Sequence, residues 1–505
     1  MTSPTGSGGA RIHAEGWGWR HAGRDEWAVR ELDLIVDPGE RVLLLGPSGA
    51  GKSTLLHALG GVLGGPEEGA ERGRLRVDGA RPTARRDRIG MVLQDPDSQV
   101  ILSRLGDDVA FGLENLRVPR ERIWDRVRRA LVEVGLRASL DTDTSALSGG
   151  QKQRLALAGV IAMRPGLILL DEPTANLDPE GVREVRDAVA DVAASTGATL
   201  VVIEHRTEVW LPVVDRVVVL GRDGRIAADG RPDEVIERER ERLLDAGVWV
   251  PDAPLPTLDR RRHAGGEHLL TATGLVAAAP SPGAEPARHD FAIERGRVTV
   301  VTGPNGAGKT TLALALGGLR APVAGSLAGA PGFAPDPKRP EPIRWRSREL
   351  LTRIGSVFQD PEHQFIAATV ADELAVGPRA LKLPADEVAR RVDDLLARLR
   401  LDHLADANPY TLSGGEKRRL SVGTVLASRP GLIVLDEPTF GQDRRTWEEL
   451  VRLIAEIVDE GTAVVAVTHD GPFIELLADA RIELDAWQSD APGEALVAAT
   501  SEAAR

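Results

Sequence analysis

Apolar residues in this chain gather into short unbroken runs, each ending near a glycine, an acid or a histidine. Arg41 to Leu45, Gly166 to Leu170 and Val298 to Val301 are too short for helices and apolar almost throughout, as strands covered on both faces of a parallel sheet should be. Arg11 to Trp19 and Trp27 to Val36 alternate instead, and Pro38-Gly39 turns the second of them into Arg41 to Leu45. Helical stretches follow, among them LLHALGGVL after Thr54 and a basic run after Gly150. Buried strands alternating with helices predict an α/β chain.

One stretch organises the rest. Leu147 to Pro173 reads LSGGQKQRLALAGVIAMRPGLILLDEP, in which Ser148-Gly149-Gly150-Gln151 opens an amphipathic helix and a buried strand ends in Asp171 and Glu172. Backbone N–H groups at such a helix start can meet an anion, and strand carboxyl ends are where open α/β sheets place ligands. The stretch recurs at Leu412 to Pro438, with Ser413-Gly414-Gly415-Glu416 and then Asp436 and Glu437.

Two loops of the form G-x-x-x-x-G-K-[ST] each stand between an apolar strand and a helix. They are Gly46-Pro47-Ser48-Gly49-Ala50-Gly51-Lys52-Ser53-Thr54 and Gly303-Pro304-Asn305-Gly306-Ala307-Gly308-Lys309-Thr310-Thr311. The pairs Gln94/Gln359, Ser148/Ser413 and Glu172/Glu437 all stand 265 residues apart, His205/His469 stand 264 apart, and Lys52/Lys309 stand 257 apart. Spacing this constant is duplication. The second copy carries about eight extra residues after Lys309, and the five prolines of Pro331 to Pro342 mark a surface loop there.

Composition narrows the class. A length of 505 residues exceeds one domain, and the division expected is a polar tail over 1–10, a first domain over 11–245, a linker over 246–267, a second domain over 268–485 and a tail over 486–505. The linker holds the three prolines and arginine cluster of Val250 to Gly266, and Ile236 to Leu244 before it is a charge-rich helix. A net charge of -13 argues against a nucleic acid as the main partner. The absence of cysteine removes disulfides, thiolate metal sites and thiol nucleophiles. No apolar run approaches the roughly 18 residues of a membrane span, and no signal peptide is visible, so attachment to a membrane would need a partner.

The chemistry follows from the loops. Their backbone N–H groups wrap ATP phosphates, Lys52 and Lys309 reach the β and γ phosphates, and Ser53 and Thr310 offer hydroxyls to Mg²⁺. Asp171 and Asp436 supply the carboxylate that a hard cation wants, and Glu172 and Glu437 are placed to act as general bases on water. His205 and His469 each close an apolar strand.

The pairing of LSGGQ with a strand ending in Asp-Glu resembles the signature motif and Walker B strand of ATP-binding cassette (ABC) proteins, over nearly the whole chain. That resemblance implies two P-loop NTPase nucleotide-binding domains, each a mostly parallel core sheet with an antiparallel β subdomain and a helical signature subdomain. It makes His205 and His469 switch histidines, Gln94 and Gln359 Q-loop residues that reach magnesium and the attacking water, and Asp178 (in Asn176-Leu177-Asp178) and Asp443 (in Gly441-Gln442-Asp443) D-loop residues. The family's head-to-tail pairing implies that each ATP is shared: Lys52, Gln94, Asp171, Glu172 and His205 would face Ser413 and Gly415, and their counterparts would face Ser148 and Gly150. Neither copy has lost an acid, lysine or histidine, so two hydrolytic sites are expected. Adenine would stack on Trp19, with Trp17 packing behind it, although a tryptophan at a strand edge is as often plain core. The second copy has Ala277 there, which implies weaker adenine binding.

Val92 to Ile101, VLQDPDSQVI, and Val357 to Ile366, VFQDPEHQFI, look like the ATPases of energy-coupling factor (ECF) vitamin and metal importers, as does VIEHR. The likeness implies a transmembrane coupling subunit, a small substrate-binding membrane subunit, and a peripheral place on the cytoplasmic face of the membrane. Acids gather around both Q-loops: Asp95, Asp97, Asp107 and Asp108, and Asp360, Glu362, Asp372 and Glu373. They would receive arginines of the coupling subunit, or else they are ordinary solvated acids and helix N-terminal charges. The rival from another class is a tandem ABC-F translation factor on ribosomes, disfavoured by the short proline-broken linker in an acidic chain. A DNA-repair ABC protein would need zinc-binding cysteines and a coiled coil, and another tandem importer ATPase would tend to carry a degraded site. Substrate choice would lie in a different polypeptide.

Overall fold

The computed structural model describes residues 8–65, 67–174, 177–261, 266–278, 287–304, 306–439 and 441–484. Asn176, Asn305, most of the 1–10 tail, part of the 246–267 linker and the whole 486–505 tail, all named above, lie outside the described residues. The chain divides into two compact units, Met1–Pro254 with Gly441–Thr446, and Leu255–Phe440 with Trp447–Arg505.

In the first unit the main sheet has six strands in the order Ile89–Val92, Leu167–Asp171, Thr199–Ile203, Arg41–Leu45, Arg216–Leu220, Ile226–Gly230. The first five run parallel and the last antiparallel. Leu167–Asp171 and Thr199–Ile203 are buried at every position, because helices cover both faces and leave no wet side to alternate with. A separate three-stranded antiparallel sheet sets Ile12–His21 between Val29–Val36 and Gly69–Val77. Val29–Val36 alternates from Leu32 to Val36 as predicted, while Glu31, with φ of 48°, breaks the period before it. Three helices, Leu105–Asn115, Arg120–Glu133 and Gly149–Met163, form a lobe whose aliphatic residues share a core with the sheet.

The second unit repeats this plan. Its parallel sheet runs Ile354–Val357, Leu432–Asp436, Ala463–Val467, Val298–Thr302, Ala480–Glu483, and its antiparallel sheet runs His289–Glu294, His268–Val276, Ala324–Gly329. Its lobe helices are Val370–Ala380, Ala385–Arg398 and Gly414–Leu426.

The proline-rich segment is the irregular, largely exposed loop expected of it, but it is pinned to the core. Phe333 within it and Trp345 just after it are each 5% exposed and meet edge to face at 5.8 Å. Trp345 Nε1 donates to Arg339 O at 3.0 Å, and Arg353 Nε donates to Phe333 O at 2.8 Å. Prolines shape the path, but two buried aromatics anchor it into the unit's core. Trp345→Ala is expected to destabilise the second unit by about 3–5 kcal/mol. Urea unfolding checks this, and a change below about 0.5 kcal/mol would mean the segment is a solvated connection.

Candidate active sites

Each phosphate-loop sequence folds between a central strand and a helix, Lys52–Leu59 in the first unit and Lys309–Leu316 in the second. Gly46, Gly49 and Gly51 have φ of 148°, 79° and 87°, and Gly303, Gly306 and Gly308 repeat them at 146°, 83° and 90°. A Cβ on Gly46 would lie 2.4 Å from Leu220 O, and one on Gly303 would lie 2.4 Å from Leu484 O. Glycine there is a steric requirement. Lys52 Nζ donates to Gly46 O and Pro47 O at 2.8 and 3.0 Å, and Lys309 Nζ donates to Gly303 O and Pro304 O at 2.8 and 2.9 Å. The lysine thus spans the mouth of a ring of turned-in backbone. Burial holds the Lys52 amine below its ordinary range, against the pull of Glu172, Asp171 and Asp443.

The acids arrive from the neighbouring strands. Asp171 and Asp436, buried at 3% and 5% exposure, end Leu167–Asp171 and Leu432–Asp436, and each accepts a hydrogen bond from the loop hydroxyl, Ser53 or Thr310. Burial raises both carboxyls. Asp436 Oδ1 is buried with no hydrogen-bond partner among the described residues, which fits a donor set awaiting a hard cation. Glu172 and Glu437 follow with φ of 49° each, a left-handed backbone that costs a non-glycine residue energy. Glu172 N to Ile203 O at 3.0 Å and Glu437 N to Val467 O at 2.9 Å hold them there.

The histidines complete the sites. His205 Nε2 lies 2.9 Å from Glu172 Oε1, and Gln94 Nε2 donates to Glu172 Oε2 at 2.9 Å. Burial opposes the charged imidazole, but the Glu172 carboxylate outweighs it, so the His205 pKa is raised. In the second unit His469 Nε2 is 4.0 Å from Glu437 Oε1. Burial, then Asp436, pushes Glu437 up to about 7.

A nucleotide-phosphate loop, a hydroxyl–aspartate pair, a strained glutamate and a histidine therefore stand together twice. The sequence profile of the ABC transporter family matches residues 29–175 and 287–440. The chain belongs to the ABC transporter family. It is 36% identical over 487 residues to the "Putative HMP/thiamine import ATP-binding protein" of Bacillus subtilis, covering 90% of this chain and 86% of that one. It is 33% identical over 515 residues to a "Putative ABC transporter ATP-binding protein" of Streptomyces coelicolor, covering 90% and 88%. Among solved structures, an archaeal ribosome recycling factor bound to a ribosomal stalk protein superposes with a TM-score of 0.63 at 20% identity, over 93% of this chain and 87% of that one, and shows the shared fold alone. The protein is an ATP-binding ABC ATPase with two cassettes.

The other ABC motif residues fall as follows. Ser148 and Ser413 cap the signature helices Gly149–Met163 and Gly414–Leu426, and Gln151 and Glu416 bond back to them in capping boxes. Gly149, Gly150, Gly414 and Gly415 form the first turns behind these caps. Asp178 caps Pro179–Thr196 by accepting from Gly181 N at 2.8 Å. Asp443, in the segment Gly441–Thr446 of the first unit, accepts from Thr446 N at 2.9 Å and from Ser48 Oγ at 3.0 Å.

Two expectations need correction. Trp19 is 2% exposed and offers no open face to adenine; Trp17 beside it is 0% exposed. Register shifts between Ala14 and Trp17 and between Trp17 and Trp19 turn both indoles inward. His21 lies near that edge, and its Nε2 is 3.1 Å from Thr54 Oγ1. Ala277 packs partly buried against the second core. The acids around the Q-loops are also mostly engaged within their own units. Asp108 Oδ1 accepts from Ile101 N and Leu102 N, both at 2.8 Å, and Glu373 Oε2 accepts from Ile366 N and Ala367 N at 2.8 and 2.6 Å. Asp97 pairs with Lys152, and Glu362 pairs with Lys417 at 2.5 Å. Asp95 and Asp360 each close a turn, and Asp372 bonds Thr369 and Arg379.

Sequence reasoning missed two buried carboxylates beside the histidines. Thr174 Oγ1 donates to Glu204 Oε2 at 2.5 Å, and Thr439 Oγ1 donates to Asp470 Oδ2 at 2.7 Å. The first acid precedes its histidine and the second follows it, so the spacing rule that exposed the duplication hides them. Burial, then Glu172, raises Glu204. The second glutamine of each Q-x-P-[DE]-x-Q motif is a staple: Gln99 bonds Leu93 N and Met91 O, and Gln364 bonds Phe358 N and Ser356 O. Thr174→Val and Thr439→Val each strip a donor from a buried carboxylate and are expected to cost about 1–3 kcal/mol, read by denaturant unfolding. Losses within about 0.3 kcal/mol would mean these hydroxyls bear nothing.

Proposed function

We propose that this ABC ATPase is the energy-coupling subunit of an importer of the ECF type. It would sit on the cytoplasmic face of the membrane through a transmembrane coupling subunit, beside a small substrate-binding membrane subunit. The observation that carries this is an exposed aliphatic residue at the same place beyond each Q-loop, Ile101 at 60% and Ile366 at 77% exposure, in units that each hold a full set of phosphate-loop, acid and histidine residues. Leu102 at 36% and Tyr410 at 50% widen these patches, and Tyr410 Oη bonds Phe365 O beside Ile366. With most neighbouring acids bonded internally, apolar contact is the chemistry left for a docking partner. The import role named for the Bacillus subtilis relative supports the direction of transport, and HMP or thiamine is the cargo that its name puts forward. Among the described residues no helix is long and apolar enough to cross a membrane. Ribosome binding has the fold likeness alone behind it.

In this reading Lys52 and Lys309 exchange loop carbonyls for the β and γ phosphates of ATP. Ser53, Asp171 and Gln94, and Thr310, Asp436 and Gln359, would hold Mg²⁺, which when bound neutralises charge on the phosphates. Glu172 and Glu437 orient a water and take its proton, and His205 and His469 hold water and γ phosphate in line. Asp178, Asp443 and the signature turns at Ser148 and Ser413 line the nucleotide.

General-base catalysis is worth roughly 10²–10⁴-fold per site. Glu172→Gln and Glu437→Gln are each expected to leave a measurable share of phosphate release, and the double variant under about 1%. Complete loss from one change and none from the other would refute two hydrolytic sites. For docking, Ile101→Glu with Ile366→Glu is expected to abolish co-purification with the coupling subunit while leaving the isolated chain's ATPase within about twofold. Retained co-purification would refute these patches as the docking surface.

A further inference from the structure

The two Q-loops are secured differently, and the charged part of the difference traces to one position in the signature helices. In the second unit Arg418, 4% exposed, donates from Nη1 to Phe358 O at 2.9 Å and from Nη2 to Gln359 O at 2.6 Å. Both carbonyls belong to the Q-loop, one of them to the Q-loop glutamine. A charged donor on two carbonyls of one turn is a strong restraint. Burial pushes the guanidinium down to about 10, against the pull of Asp360, Asp436 and Glu437. Position 153, the counterpart in the first unit, is glutamine. Gln153 is 1% exposed, and both of its amide atoms are buried without a hydrogen-bond partner among the described residues. Nothing from that position holds the first Q-loop.

The side chains of the Q-loop glutamines differ accordingly. Gln94 reaches Glu172 at 2.9 Å, whereas among the described residues no hydrogen bond joins Gln359 to Glu437. The backbone staples of Gln99 and Gln364 and the pairs Lys152–Asp97 and Lys417–Glu362 are common to both units, while Gln364 also accepts from Ser421 Oγ at 2.6 Å where the first unit has Ala156. The common contacts cannot account for the difference, and exchanging residues 153 and 418 leaves Ser421 in place, which separates its neutral hydrogen bond from the Arg418 clamp.

We propose that Arg418 is a positioning residue that clamps the second Q-loop and withholds Gln359 from Glu437, so that the two ATP sites turn over unequally. The proposal rests on the reading of Gln94 and Gln359 as site residues, and it concerns the rate of each site rather than the identity of the transporter. Gln153 leaves the first Q-loop free to engage. The pairing of a free with a restrained glutamine gives the tandem chain a leading and a trailing site.

Exchanging the two residues tests this in the full chain. Arg418→Gln is expected to raise kcat for ATP about threefold to tenfold with KM within about twofold, and Gln153→Arg to lower kcat by a similar factor. Opposite signs from the two changes separate the clamp from simple structural damage, which lowers kcat in both. Amide hydrogen exchange reads the restraint without turnover. Residues 358–366 should exchange about tenfold more slowly than 93–101, Arg418→Gln should remove that protection, and Gln153→Arg should confer it on the first loop. Should Arg418→Gln fail to fold, Gln153→Arg alone decides by the same two readouts. Equal exchange of the two loops in the unaltered chain, or a fall in kcat from Arg418→Gln with none from Gln153→Arg, would overturn the proposal. An absence of ATP hydrolysis with the exchange difference intact would sink the function proposed above and leave the clamp standing.

Discussion

Everything in each unit depends on setting a buried ammonium beside two buried carboxyls at the end of a parallel sheet. Lys52 with Asp171 and Glu172, and Lys309 with Asp436, are all under 10% exposed, and the Glu437 side chain is 14% exposed. Charges taken out of water are tolerated only when paired or hydrogen-bonded. The sheet order supplies the pairing, because the acid strand lies two places from the loop strand with Thr199–Ile203 or Ala463–Val467 between them. Those intervening strands deliver the histidine, and their last residues hold the strained glutamate by its N–H. The site is a consequence of strand order.

This also explains which parts of the sequence could be read directly. Continuous apolar strands, glycines forced to positive φ and acids at strand ends are local signals, and their repetition at one spacing marks them as chemistry. The trapped tryptophans were not local in this sense. Alternation counted from Ile12 and Ala14 would leave Trp17 and Trp19 on the wet face, but the bulge around Gly16, with its φ of 52°, reverses the parity and buries both. The acids around the Q-loops read as a charged face because sequence gives the charge and omits the backbone N–H groups that Asp108 and Glu373 satisfy. Phe333 and Trp345 sit among prolines, so the breaker signal outweighed the anchor signal.

The duplicated chain is close to symmetric where phosphate chemistry is set and asymmetric one layer out. The loop lysines, hydroxyl–aspartate pairs and strained glutamates superimpose in kind and in angle. Around them the carboxylate moves from Glu204 before one histidine to Asp470 after the other, and the signature helix offers Gln153 in one copy and Arg418 in the other. Changes of this sort alter how firmly a group is held without removing any group the reaction needs. A fused pair of cassettes can diverge in this way because one gene fixes which half receives each residue.

The claim that these two ATP sites drive an importer meets its most direct test in what accompanies the chain. The full protein would be isolated from detergent-solubilised membranes of its native host and its partners identified and counted by mass spectrometry. Stoichiometric recovery of a multi-span coupling subunit together with a small multi-span substrate-binding subunit is the predicted result, and the latter would name the cargo. Recovery in the soluble fraction with ribosomes, and with no membrane subunit, would contradict it.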